Sequence, residues 1–229
     1  MIERIDFHSH ILPGADHGSM GIDTSVGQVA LQKSAGIRRI VATPHFYPDH
    51  KSIDPFLQQR EKCAAKLKSS LKEDDPAVYL GAEVLICPSL DKVPGIEKLC
   101  IRGTRTILIE MPFTHFSDTL LYTVENLTKL DLQVVMAHID RYDIADVRNL
   151  MCLQVSAQIN ASSLVHRSKR RDLKPFFTDG RVVAFGTDLH GTDKGTIKNY
   201  MKGLSKLGEY NEKQIAKETE KLLNGAIAL

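Results

Sequence analysis

Seven short apolar runs rich in β-branched residues recur along the chain, at residues 2–7, 37–42, 78–84, 106–110, 132–137, 154–160 and 181–186. Each has the length of a strand buried on both faces. Between them the pattern shifts to helical spacing, over about residues 25–34, 55–72, 119–129, 144–149 and 169–178, with a shorter helix at 91–99. Two further helices, 196–207 and 212–223, close the chain. Strands alternating with helices predict an α/β fold, a parallel sheet with helices outside it. No internal repeat, low-complexity tract or linker interrupts the series, so residues 1–229 read as a single domain.

Composition narrows the function classes. Of 229 residues, 42% are hydrophobic and 25% charged, as in an ordinary globular protein. Thirty basic side chains against 28 acidic ones give a net charge of +2, too balanced for a nucleic-acid or membrane-surface partner. The one basic cluster, at 167–171, reads as a solvated face. The first residues lead into a strand with no apolar leader, and no stretch approaches the length of a membrane span. Cys63, Cys87, Cys100 and Cys152 form no CxxC pair and are expected as buried free thiols. Together these features predict a cytoplasmic protein that does not insert in a membrane.

The chemistry gathers at the ends of the runs. The first opens into Asp6-Phe-His8-Ser-His10-Ile-Leu-Pro-Gly-Ala-Asp16. On a strand, side chains two apart share a face, so the imidazoles of His8 and His10 converge. Asp6 lies on the same alternation, placed to orient an imidazole from behind. Pro13-Gly14 turn the chain and bring Asp16 back within reach. Later runs end in Ala-Thr-Pro-His45, Gly-Ala-Glu83, Ile-Glu110, Met-Ala-His138 and Gly-Thr-Asp188-Leu-His190; the sixth ends in Asn160, with no ligand-type residue. In a (β/α) barrel the C-terminal strand ends meet on one face, where the active site sits. Nine residues of metal-ligand type would then share one cavity.

Taken singly, several have an ordinary alternative: His45 as a loop histidine, His138 as a core histidine bonded to backbone. Glu83 and Glu110 are harder to dismiss, because an uncompensated carboxylate ending a buried strand is costly. His17, His50, His115 and His166 are placed on the surface. Arg141, three residues after His138, is the candidate for binding an anion; Tyr142 is read as packing, and Lys194 and Lys198 as unspecific additions.

Five imidazoles and four carboxylates exceed the needs of one tetrahedral zinc and suit about two or three divalent ions. Mixed nitrogen and oxygen donors without thiolate favour Mn, Fe or Zn. The positive surplus left by three such ions fits a phosphate monoester dianion. The expected mechanism is attack by a metal-bridged hydroxide in line with the leaving oxygen, with Arg141 on the equatorial oxygens. No cysteine has an arginine six residues on, which argues against a cysteinyl-phosphate route.

These segments, with His138-Ile-Asp-Arg141-Tyr142 and Gln158-Ile-Asn-Ala-Ser-Ser-Leu164, resemble the PHP (polymerase and histidinol phosphatase) superfamily. Within it they are most similar to the manganese-dependent protein-tyrosine phosphatases of the CpsB/CapC/YwqE type from bacterial capsule and exopolysaccharide operons. The resemblance runs from end to end. It implies a distorted TIM-like (β/α)7 barrel and three metals, Mn²⁺ first among them. It assigns ligand roles to His8, His10, Asp16, His45, Glu83, Glu110, His138, Asp188 and His190, and phosphate binding to Arg141. It also implies a substrate, phosphotyrosine on a cognate bacterial tyrosine kinase.

The chain departs from the family pattern in three places. His17 stands where a second Asp is usual, Ile139-Asp140 replace Pro-Glu, and no Arg-Pro-rich stretch follows His190. Two other functions fit the same residues, a small-molecule phosphomonoesterase of the histidinol-phosphatase kind and a non-catalytic metal-bound docking module.

Overall fold

A computed structural model describes residues 3–229. The first predicted strand, 2–7, begins outside that range; the described strand β1 is Arg4–Ser9. The run 37–42 forms β2 (Ile37–Ala42), and after Thr43-Pro44 the chain resumes as β3 (His45–Phe46). The run 78–84 likewise divides into β4 (Ala77–Leu80) and β5 (Glu83–Leu85) around Gly81-Ala82. The remaining strands are β6 (Thr106–Glu110), β7 (Gln133–Met136), β8 (Ser156–Asn160) and β9 (Val182–Gly186).

Every pairing between these strands is parallel. They form a three-stranded sheet, β1-β2-β4, and a six-stranded one, β3-β5-β6-β7-β8-β9. The two divided runs belong to both sheets, and that accounts for the division. Pro44 has no N–H to donate, so the ladder of β2 stops there and resumes in the other sheet. Backbone bonds then close the ring: Asp188 N donates to His8 O at 2.9 Å and His10 N to Leu189 O at 3.3 Å. The result is a distorted seven-run barrel, α/β in class.

The helices are α1 (Ile22–Ser34), α2 (Ile53–Lys68), α3 (Asp118–Lys129), α4 (Ile144–Met151), α5 (Arg167–Thr178), α6 (Lys194–Leu207) and α7 (Glu209–Leu222). Helix α2 starts before Pro55, which is tolerated in a first turn because its missing N–H would have no partner there. It stops short of the expected residue 72, where the hydroxyls of Ser69 and Ser70 donate to Lys66 O instead. The helix expected at 91–99 is two 3-10 turns, Leu90–Lys92 and Ile96–Leu99, parted by Pro94 and by Gly95 at φ 83°.

Two apolar layers hold the barrel. The larger lies between strands and helices. The smaller fills the interior with Ile5, Phe7, Val41, Leu108, Val135 and Val183, plugged by Leu222 and Leu223 at the end of α7. Above this plug the strand ends turn polar, and the functional residues begin. Side-chain caps fix the segments there: Asp143 accepts from Ala145 N at the start of α4, and Asp193 from Gly195 N and Thr196 N at the start of α6. No helix among the described residues is long and apolar enough to cross a membrane.

Candidate metal centre

Glu83, at the start of β5, is the hub. It is 1% exposed, and burying an isolated carboxylate so deeply costs several kcal/mol, roughly, unless charge or hydrogen bonds offset it. Four imidazoles do so. Its Oε2 faces His8 Nε2 at 3.2 Å, His10 Nε2 at 3.2 Å and His45 Nδ1 at 2.9 Å, and its Oε1 meets His138 Nε2 at 2.8 Å. Glu110 joins at 3.4 Å from His138 Nε2 and 3.9 Å from His45 Nδ1. Asp188 Oδ1 lies 3.4 Å from His10 Nε2 and 3.7 Å from His8 Nε2.

The tautomers can be derived from neighbours of known polarity. The backbone N–H of His138 donates to Gln158 at 2.8 Å, so the amide atom there is Oε1. The same oxygen lies 3.1 Å from His8 Nδ1, which must therefore carry the ring proton. His8 Nε2 is left with a lone pair aimed at the centre. Asp16 Oδ2 does the same for His10, accepting from Nδ1 at 2.7 Å. His190 Nδ1 donates to Asp188 O at 3.1 Å, which frees its Nε2. In the neutral rings, the form that binds a cation, lone pair therefore faces lone pair: His8 Nε2 and His10 Nε2 are 3.1 Å apart.

Among the described residues, four overlapping convergences have ligand atoms within 4.8 Å of one another: His10-His45-His190, His8-His10-Asp188, His8-Glu83-His138 and His45-Glu83-Glu110. Glu83 Oε2, His45 Nδ1 and His190 Nε2 are buried without a hydrogen-bond partner. Buried polar atoms are ordinarily satisfied, so donors of this type left over in one place fit cations. Asp16 stands outside the four convergences; its oxygens accept from His10 Nδ1, Gly18 N and His45 N.

The electrostatics of the cation-free protein follow. Burial opposes charge on His138, but hydrogen bonds with Glu110 and Glu83 outweigh it and hold the imidazole up at about 9. His8 and His10 are also raised against burial, His8 chiefly by the charge of Glu83 and His10 chiefly by its bond to Asp16. Burial would raise Glu83, yet the charge on His8, the close ring nitrogens of His10 and His45 and the bond with His138 hold it well below the carboxylate range. His190 goes the other way, down to about 4, through burial and then repulsion from His10.

Backbone geometry concentrates here too. Four non-glycine residues among those described have positive φ, and two of them are His138 (30°) and Asp188 (51°), just past the ends of β7 and β9. Gly18 and Gly186 allow close approach. A Cβ on Gly18 would fall 2.1 Å from His10 Cβ, and one on Gly186 2.6 Å from Gln158 Nε2 and 2.7 Å from His8 Cβ.

Several expectations change. Asp6 bonds to no imidazole. Its oxygens accept from the backbone of His8 and Thr187, from Thr187 Oγ1 and from Gln32 of α1. The pairing of β1 with β2 slips between Asp6 and Ser9, so simple alternation does not hold there. Burial, against those hydrogen bonds, raises its carboxyl to about 6. Orienting His8 falls instead to Gln158, whose Nε2 donates to Asn160 Oδ1, while Asn160 Nδ2 donates to Asp188 Oδ2. A polar pair two apart on an otherwise buried strand was the signal for this.

His17 is exposed, as expected, but its ring stacks on His45 at 4.9 Å and His190 at 4.6 Å, on the rim of the site. His115 is exposed and pairs with Asp146 at 2.7 Å; His50 and His166 are exposed. Tyr142 is packing, its hydroxyl accepting from Met111 N. Arg141 reaches the rim, 44% exposed, and donates to Asp188 Oδ2 at 3.0 Å. Neither Lys194 nor Lys198 lines the cleft. All four cysteines are free, but only Cys63 and Cys100 are buried; Cys87 is half-buried and Cys152 exposed.

A family model for capsular polysaccharide synthesis proteins, CpsB/CapC, matches residues 4–224. The chain belongs to the CpsB/CapC family. Among its relatives, tyrosine-protein phosphatase CpsB of Streptococcus pneumoniae is 32% identical over 82% of this chain and 84% of its own. Tyrosine-protein phosphatase YwqE of Bacillus subtilis is 32% identical over 53% of this chain and 49% of its own. In fold, the chain is similar to a solved structure from work on YwqE and CpsB, described as metal-dependent tyrosine phosphatases. The TM-score is 0.80 at 21% identity, covering 98% of this chain and 96% of the other. A probable 2-pyrone-4,6-dicarboxylic acid hydrolase from Acinetobacter baumannii shares the fold more distantly, with TM-score 0.55 at 10% identity over 97% and 99% of the two chains.

Proposed function

We propose that this CpsB/CapC chain, residues 1–229 acting as one domain, hydrolyses phosphotyrosine in proteins with divalent ions held at the strand ends. The observation that carries this is Glu83, a buried carboxylate faced by four imidazoles, with an Oε2 that no well-aligned hydrogen bond satisfies. The proposed ligands are His8, His10, His45, His138 and His190 through ring nitrogens, and Glu83, Glu110 and Asp188 through carboxylate oxygens. Asp16 is the ninth: a carboxylate offers about four acceptor sites, and three hydrogen bonds leave one lone pair for a cation.

Nitrogen and oxygen donors without thiolate suit Mn²⁺, Fe or Zn, at about two or three ions per chain, and the resemblance to manganese-dependent phosphatases puts Mn²⁺ first. When bound, such ions supply Lewis acidity toward phosphoryl oxygens and lower the pKa of water. The chain's own residues do the rest. Gln158 and Asp16 fix the His8 and His10 tautomers so that both Nε2 atoms face inward. Arg141 spends one N–H on Asp188 and keeps its other donors for the equatorial oxygens of the phosphate. Asn160 and Arg141 both hold Asp188 Oδ2, leaving Oδ1 toward the imidazoles.

The substrate we assign is a phosphotyrosine protein, specifically a cognate bacterial tyrosine kinase linked to capsule or exopolysaccharide synthesis, met in the cytoplasm. The names of the relatives and of the family model support this choice. The test combines elemental analysis with hydrolysis of a phosphotyrosine peptide, with and without added Mn²⁺, in the wild type and in His138→Ala. Two or three ions per chain and activity lost in the variant are expected. A folded protein with at most one ion and no activity would refute the proposal, and faster turnover of histidinol phosphate than of the peptide would move the substrate to small molecules.

A further inference from the structure

Two aromatic rings stand at the mouth of the cleft, and neither belongs to the core. Phe113, just past β6, is 60% exposed, an unusual position for so apolar a side chain. It is held there by its neighbours. Its ring lies 5.9 Å from that of His138 at 18°, and the Arg141 guanidinium carbon sits 4.6 Å from its centroid. Tyr47, half-buried just past β3, stacks on His45 at 5.2 Å and 16°. Both line the roughly 600 Å³ cleft, which Arg141, Glu110 and His190 line as well. The two imidazoles beneath these rings face opposite oxygens of Glu83.

We propose that Phe113 and Tyr47 are specificity-determining walls that receive the ring of an aryl phosphate while its phosphoryl group meets Arg141. This rests on the phosphatase function proposed above and gives it a reason to prefer phosphotyrosine. Only one ester oxygen separates phosphorus from the ring of an aryl phosphate. A phosphoryl group on Arg141 therefore puts that ring beside the guanidinium, where Phe113 lies. Offset or edge-on aromatic contact is available to a phenyl ester and absent for phosphoserine or a sugar phosphate. The rings select; they move no proton and make no bond.

The test reads binding apart from turnover. Mn²⁺-loaded protein is titrated calorimetrically with phenylphosphonate and methylphosphonate, neither of which can be hydrolysed as an ester. The wild type is expected to bind the phenyl ligand about five- to tenfold more tightly. Phe113→Ala and Tyr47→Ala should each lose about three- to tenfold toward phenylphosphonate with methylphosphonate unchanged, and Phe113→Trp should restore the preference. Equal losses for both ligands would show that Phe113 only props Arg141 and would overturn the inference, as would a wild type with no preference. A protein that prefers phenylphosphonate but hydrolyses no phosphotyrosine peptide would uphold the aryl walls and refute the proposed function instead.

Discussion

Gln158→Leu tests the derivation of the centre at its most exposed logical step. The side-chain amide accepts from His8 Nδ1 and from the backbone N–H of His138, and donates to Asn160, all of it fully buried. Leucine keeps much of the volume and removes every polar partner. Asn160 can turn its own amide, but the N–H of His138 and the Nδ1–H of His8 have no substitute nearby. Each orphaned buried donor costs about 1–3 kcal/mol, so the variant should lose roughly 2–5 kcal/mol of folding stability. For a chain of this size that lowers the melting temperature by roughly 5–20 °C. Freed of Gln158, His8 no longer holds one tautomer or one ring orientation. Loss of such an outer partner typically weakens metal binding about 10- to 100-fold. Thermal melts of the cation-free protein and calorimetric Mn²⁺ titration measure the two effects separately. Gln158→Glu, which retains an acceptor for both donors, should fall between wild type and Gln158→Leu in Mn²⁺ affinity. If Gln158→Leu melts and binds Mn²⁺ like the wild type, the tautomer argument is wrong and Gln158 is mere filling.

Glu83→Gln should reduce the bound metal by about one ion or more per chain, since one carboxylate serves two of the four ligand convergences; elemental analysis of the purified variant decides this. Arg141→Lys should raise KM for a phosphotyrosine peptide by about tenfold while leaving metal content intact, because an ammonium cannot hold Asp188 and a phosphate with a planar fork; unchanged KM would remove Arg141 from substrate binding. Gly186→Ala should unfold or strip the site, as its Cβ would overlap Gln158 and His8, and a variant with full metal content contradicts that. In the cation-free protein, His138 is raised from 6.5 to about 9, so its stabilising contribution is complete below pH 6.5 and lost as pH rises through about 9. Melting temperature should fall across that window, and Mn²⁺ affinity should rise as the imidazole gives up its proton; a flat Mn²⁺ affinity from pH 6.5 to 9 would contradict the assignment of His138 as a ligand.

The seven apolar runs and the helices between them could be read in advance because periodicity depends only on the chain and its local geometry. Residues of ligand type at strand ends were legible for a related reason: a carboxylate such as Glu83 ending a buried run is an anomaly visible without coordinates. The His-x-His spacing likewise predicted the convergence of His8 and His10, whose Nε2 atoms lie 3.1 Å apart although β1 ends at Ser9. Division of two runs between two sheets was not legible, since it depends on which neighbour each half finds. Asp6 was misplaced because β1 slips register between Asp6 and Ser9, and alternation carries no information across a slip. Gln158 could be given no role from the sequence because that role lies in His8, 150 residues away. Phe113 and Tyr47 carry no sequence signal that sets them apart from other aromatics, and only the folded chain leaves Phe113 exposed beside Arg141. What the sequence determined by itself was the set of local patterns and the identity of the donors. Which donors share a proton, which face each other bare and which rings flank the cleft were decided by tertiary structure, because those relations exist only between segments that folding brings together.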